Sequence, residues 1–177
     1  MIPGFIISLA TFPGIMVHEF AHKFFADRSG VLVHKVCYFR LGNPAGYVIH
    51  DPAVNLKQSF LISIGPLIVN TVLCALIASP VMFPEGYLTL GISDNLTLFI
   101  GWLGLSIGMH AFPSNQDMSN FLSDIKKTKG HSLLLLVSRA FAVLLRISNL
   151  LRFFWFDLIY AVGVSMLLPW IVMNFYK

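Results

Sequence analysis

Residues 59–83 read SFLISIGPLIVNTVLCALIASPVMF, a run without a single charged side chain. About 20 apolar residues are enough for a helix to cross the hydrocarbon of a bilayer. Three other runs reach a comparable length, at 2–25, 95–113 and 153–175. The last, FFWFDLIYAVGVSMLLPWIVMNF, has aromatic residues at both ends, as interface anchors do. Composition points the same way. Of 177 residues, 56% are hydrophobic and only 11% charged, and the mean hydropathy is +0.77. A soluble domain carries about a quarter charged residues, so this chain has too little polar material to cover a water-facing surface. The expected fold class is membrane all-α, a single domain over 1–177 built as a bundle of about four transmembrane helices.

Two connecting regions differ from the apolar runs. Residues 31–50, VLVHKVCYFRLGNPAGYVIH, set β-branched and aromatic residues on either side of LGNPAG, a turn signal, and predict a small β-hairpin in the first loop. Residues 131–152 carry Arg139 and Arg146, which share a helical face with Ser138 and Asn149. That spacing predicts an amphipathic helix lying in the membrane interface. A fifth span is the alternative, at roughly 2.5–3.5 kcal/mol for an arginine near the bilayer centre. The chain thus divides into a core over 1–120, an amphipathic region over 121–152 and a last transmembrane helix over 153–175. Inside the first run, Pro13-Gly14 predicts a bend.

Charge sets the expected orientation. Lys23, Arg28, Lys35, Arg40 and Lys57 follow the first run, and Lys126, Lys127 and Lys129 follow the third. The loop at 84–94 holds Glu85 and Asp94 and no basic residue. By the positive-inside rule the first and third loops are cytosolic and the N-terminus lies outside. The net charge of +4 then reflects topology and membrane-surface contacts, and no nucleic-acid partner is expected. Cys37 and Cys74 sit in different segments without a CxxC, so no disulfide framework is expected. The N-terminus has no basic lead or obvious cleavage site and is not read as a signal peptide.

Against this background residues 14–25, GIMVHEFAHKFF, bring three polar groups into an apolar run. On a helix His18 and His22 lie one turn apart on one face and can hold one metal ion together. Glu19, the next residue round, can reach a water on that metal, which is the HExxH arrangement of zinc peptidases. Such a site normally has a third protein ligand and leaves the fourth position to water. HExxH falls at the cytosolic end of the first run. The third run ends on the same side and is followed by HAFPSNQDMSN, so Asp117 is the expected third ligand of a site holding one zinc per chain. His110 is its rival. Asp124 is expected to be solvated and paired with nearby lysines.

In matching order over roughly residues 10–120, these features resemble the site-2 protease family of intramembrane zinc metalloproteases. The HExxH helix is followed by a loop with strand-like segments, then by GPLIVN at 65–70, similar to the family's GPxxN, then by a helix that delivers an aspartate. The family's aspartate usually sits in a proline-rich run and precedes a glycine; here Pro113 comes before it and Met118 after. The resemblance implies a minimal core that hydrolyses peptide bonds in or near transmembrane segments of other membrane proteins. Glu19 would be the general base on a zinc-bound water, and Asn70 an oxyanion donor or a grip on the substrate backbone. An interhelical hydrogen bond is the alternative for Asn70. Gly65-Pro66 is read as packing and a helix break, with a freed carbonyl available to the substrate. The 31–50 hairpin would offer an edge to an extended substrate strand, or shield the site.

The implied partners are the bilayer and a membrane-protein substrate whose transmembrane segment unwinds locally. Two other readings stand beside this one: a catalytically inactive scaffold or regulator that binds membrane segments, and a metal transporter. Transporters tend to show paired repeats and polar residues along a path, whereas here the polar groups converge at one depth. Of the remaining polar residues, His34 and His50 are expected to be exposed or to pair across the hairpin. His131 is expected to cap the 131–152 helix, and Asp157 to pair with Arg152.

Overall fold

The computed structural model describes residues 4–83 and 93–175. In chain order it contains α1 (Gly4–Ala10), α2 (Phe12–Arg28), β1 (Val33–Cys37), β2 (Tyr47–His50), α3 (Leu56–Ala78), α4 (Asp94–Gly108), α5 (Asn115–Lys127), α6 (Leu133–Leu151) and α7 (Phe156–Phe175). Short 3-10 turns follow α3 at Ser79–Val81 and α6 at Arg152–Phe154. Residues 84–92, with Glu85 of the acidic loop, lie outside the described residues. The chain is mainly helical. By length and composition three helical segments suffice to cross a membrane among the described residues: Leu56–Val81, Leu133–Phe154 and Phe156–Phe175.

Most helices start at a polar residue that satisfies N–H groups left unpaired at a helix start. Asn55, Ser93, Ser114 and Ser132 cap α3, α4, α5 and α6 in this way. Ser132 therefore takes the place expected of His131. The two strands pair antiparallel, with Cys37 opposite Tyr47 and Val33 opposite His50 and an irregularity between Val33 and Lys35. LGNPAG lies in the connection between them, as its turn residues predict. His34 Nε2 meets Asp51 Oδ1 at 2.7 Å just beyond the second strand.

The first apolar run does not form one helix. It breaks at Thr11, slightly before the expected Pro13-Gly14 bend. Pro13 falls in the first turn of α2, where a missing N–H costs nothing. The break exposes carbonyls that lipid cannot satisfy, and α4 covers them: Trp102 Nε1 donates to Ala10 O at 2.9 Å and Ser106 Oγ to Thr11 O at 3.0 Å. The N–H of Gly14 in turn donates to Ser106 Oγ at 3.1 Å. The two backbones touch there, since a Cβ on Gly14 would lie 2.0 Å from Ser106 O.

Helix α3 is central and packs against α2, α4, α5 and α7. Small residues let it do so, as expected where lipid removes the hydrophobic drive between helices. A Cβ on Gly104 would lie 2.6 Å from Ala78 Cβ, and one on Gly108 2.5 Å from Cys74 Sγ. At the other end of α3 a more conventional apolar core forms from Leu56, Phe121, Ile125, Leu135, Phe141 and Leu145. It joins α3 to α5 and α6. Ser59 Oγ adds a bond to Asp124 Oδ2 at 2.8 Å, while Asp124 Oδ1 pairs with Lys127 at 3.3 Å.

Helix α6 corrects one expected grouping. Ser138 is fully buried and faces the bundle, whereas Arg139 and Arg146 are exposed. Its buried face is Leu135, Ser138, Phe141, Ala142, Leu145 and Ser148, and Leu136, Val143 and Leu144 point outward. Beyond it Arg152 pairs with Asp157 at 3.1 Å, as expected, and also donates to the carbonyls of Phe112 and Pro113 at 3.0 and 3.3 Å.

The α2–α4 contact predicts that Gly14→Ala lowers the thermal midpoint in detergent, by a destabilisation of about 1–3 kcal/mol typical of overpacking. Gly163→Ala in α7, where an added Cβ meets nothing within 4 Å, should leave the midpoint unchanged or slightly raised.

Candidate metal centre

Helix α2 carries His18, Glu19 and His22, and the first turn of α5 carries Asp117. The four-residue spacing puts both imidazoles on the α2 face that meets α3 and the segment after α4. The two histidines are buried and Asp117 is partly exposed. His18 Nε2 and His22 Nε2 lie 3.1 Å apart, and Asp117 Oδ2 lies 3.8 and 3.4 Å from them.

The other ring nitrogens decide what these atoms are. His18 Nδ1 lies 2.6 Å from His110 O, and His22 Nδ1 lies 3.1 Å from Ile62 O. A backbone carbonyl can only accept, so each Nδ1 must carry the hydrogen. In the neutral rings both Nε2 atoms then present lone pairs, beside a carboxylate oxygen that also only accepts. Three acceptors converging there repel one another unless positive charge lies among them, either a proton that makes an imidazole the ion-pair partner of Asp117 or a metal ion. The spacing suits one: tetrahedral ligands at about 2.05 Å from a zinc ion stand roughly 3.3 Å apart. An imidazole whose Nδ1–H is held by a carbonyl is also the usual second layer of a metal site. The donor set, two imidazoles and one carboxylate oxygen, fits zinc.

Asp117 is fixed by a reciprocal cap. Its Oδ2 accepts from Ser114 N at 2.9 Å and Ser114 Oγ at 2.6 Å, and its own N–H donates to Ser114 Oγ at 3.2 Å. Burial, the largest single influence on this carboxyl, raises its pKa. Positive charge on His22 and His18 outweighs burial and holds it well below the usual carboxylate range, and a metal cation at their Nε2 atoms would act in the same direction. Arg152, through the Phe112 and Pro113 carbonyls, anchors the segment that leads into this cap.

Glu19 is half-buried beside the ligands, under the hairpin. A Cβ on Gly46 would lie 2.7 Å from Glu19 Cγ and 3.0 Å from its Oε1, so the loop backbone rests directly on the carboxylate. Asn70 lies deeper and is fully buried. Its amide nitrogen is 3.2 Å from Gly14 O, 3.0 Å from Ile107 O and 3.2 Å from His110 O. That is the interhelical bonding expected as its alternative. The oxyanion role does not fit this arrangement, because the amide protons are already engaged by backbone carbonyls. His110 likewise does not join the ligands with its ring. Its Nε2 faces Thr11 Oγ1 at 3.4 Å, and its contribution is the carbonyl that receives His18 and Asn70.

His18, His22 and Asp117 therefore come together as expected, with Glu19 next to them. Sequence reasoning missed Ser114, Gly46 and the two carbonyl acceptors. Ser114 left a signal, the S-x-x-D spacing of a capping pair; the carbonyls left none, since any residue has one. Comparison of the chain with known protein families, with curated proteins and with solved structures finds no match.

Asp117→Ala should abolish stoichiometric zinc binding measured by elemental analysis of the detergent-purified chain. Ser114→Ala should keep zinc but bind it about 10-fold more weakly in chelator competition, the low end of what loss of a supporting hydrogen bond costs.

Proposed function

We propose that the chain is a zinc-dependent intramembrane endopeptidase of the kind the sequence resembles, a minimal site-2 protease-like core. The observation that carries this reading is the convergence of three acceptor atoms on an HExxH helix, with both imidazoles held by their Nδ1–H groups. A zinc ion bound there would polarise a scissile carbonyl and acidify a water. The chain's own residues do the rest. Glu19 takes a proton from the water and delivers it to the leaving amine. Ser114 holds the Asp117 carboxylate, while the His110 and Ile62 carbonyls hold the imidazole planes.

In this reading the helices sit in the bilayer as about four spans with the N-terminus outside and the site near the cytosolic face, following the basic loops. Helix α6 lies in the interface, where Arg139 and Arg146 reach the headgroups and the outward leucines contact acyl chains. The substrate is a membrane protein whose transmembrane segment unwinds locally, because a helical peptide bond is hidden from a nucleophile. The two-stranded sheet leaves each strand one unpaired edge, to which an extended segment can add.

One observation favours a second reading. The Gly46 backbone rests on Glu19, as it would in an inactive scaffold that binds membrane segments without cutting them. The two readings separate in one experiment. The zinc-loaded chain is incubated in proteoliposomes with a panel of single-pass membrane proteins, and new termini are read by mass spectrometry. The protease reading expects cleavage that falls about 10²–10⁴-fold in Glu19→Gln, as loss of a general base does, while zinc content is unchanged. Zinc-loaded wild type that binds panel members without cutting any would favour the scaffold. Zinc uptake into the vesicle lumen would favour a transporter.

A further inference from the structure

In an α-helix the N–H of residue i donates to the carbonyl of residue i−4, so position 66 of α3 is the ordinary donor to Ile62 O. Position 66 is proline, which has no N–H to give. The carbonyl left without that donor is the one that His22 Nδ1 meets, at 3.1 Å and fully buried. Gly65 beside it brings the partner helix within reach: a Cβ there would lie 2.4 Å from Phe25 Cδ2, on the same helix as His22. Gly65 thus permits the approach of α2, and Pro66 supplies an acceptor at the point of approach.

We propose that Pro66 is a positioning residue of the metal centre, and that it acts by withholding an N–H from Ile62 O so that this carbonyl is reserved for the Nδ1–H of His22. The bond sets the tautomer and plane of the ring and aims Nε2 at the ion. An ordinary residue at 66 would direct its own N–H at the same oxygen, along the helix axis, and compete. The other histidine is held differently: His110 O lies past the end of α4, outside any helical ladder, and receives both His18 Nδ1 at 2.6 Å and Asn70 Nδ2 at 3.2 Å. The inference rests on the metal-centre reading above.

The test separates the missing N–H from the shape of the proline ring. Zinc affinity is measured by chelator competition on the detergent-purified full chain in three forms: wild type, Pro66→Ala, and a form with lactic acid encoded at position 66. The last is the backbone-ester analogue of the alanine variant and, like proline, has no N–H. Pro66→Ala is expected to bind zinc about 10–100-fold more weakly, the usual cost of losing an outer hydrogen bond to a ligand. The ester form is expected to bind close to wild type. Equal affinity in all three forms would overturn the proposal. So would an equal loss in the alanine and ester forms, which would assign the effect to the ring. If Pro66→Ala does not fold, the ester form against wild type decides, and a loss of zinc there overturns it. Wild type that takes up no zinc would instead overturn the metal centre on which the proposal stands.

Discussion

Two hydrogen bonds, from His18 Nδ1 to the His110 carbonyl and from His22 Nδ1 to the Ile62 carbonyl, tie α2 to the end of α4 and to the middle of α3. The site depends on them. They direct both Nε2 lone pairs to one point, and they satisfy two N–H donors that would be costly to bury unpaired. Asn70 reinforces the arrangement by donating to the same His110 carbonyl and to Gly14 and Ile107. The Ile107 and His110 carbonyls at and beyond the end of α4 and the Ile62 carbonyl opposite Pro66 supply acceptors to this network, while Asn70 Oδ1 and His110 Nδ1 are buried without a hydrogen-bond partner among the described residues.

Close helix approach makes those short bonds reachable. Gly14 against Ser106, Gly65 against Phe25, and Gly104 and Gly108 against Ala78 and Cys74 remove the side chains that would hold α2, α3 and α4 apart. The break at Thr11 belongs to the same contact, because its freed carbonyls are taken by Trp102 and Ser106 of α4. Away from this region the helices carry ordinary large apolar residues outward, among them Leu76, Leu98 and Ile159.

Much of this was legible in the residues. The long run at 59–83 and the hairpin at 31–50 fall where hydropathy and turn chemistry put them. The i, i+4 histidines and the level of Asp117 anticipated the cluster from periodicity, motif and charge, with the family resemblance also favouring Asp117 over His110. Other parts were not legible, for identifiable reasons. The first run was expected to bend at Pro13-Gly14, but proline is favoured in a first turn, so the break falls just before it at Thr11. Arg139 and Ser138 seemed to share a face, but burial is set by which stripe of α6 meets Phe121 and Leu56, and that stripe takes Ser138 alone. Asn70 could not be assigned between substrate and scaffold until its neighbours in α2 and α4 were known.

The central claim is a single ion held by His18, His22 and Asp117. X-ray absorption at the zinc edge, on detergent-purified chain loaded with one equivalent of zinc, tests it most directly. The account predicts a shell of nitrogen and oxygen ligands at about 2.0–2.1 Å, with the outer scattering of two imidazoles and no sulfur, and loss of that spectrum in Asp117→Ala. A spectrum of fully hydrated zinc, or one with sulfur at about 2.3 Å from a cysteine, would contradict it.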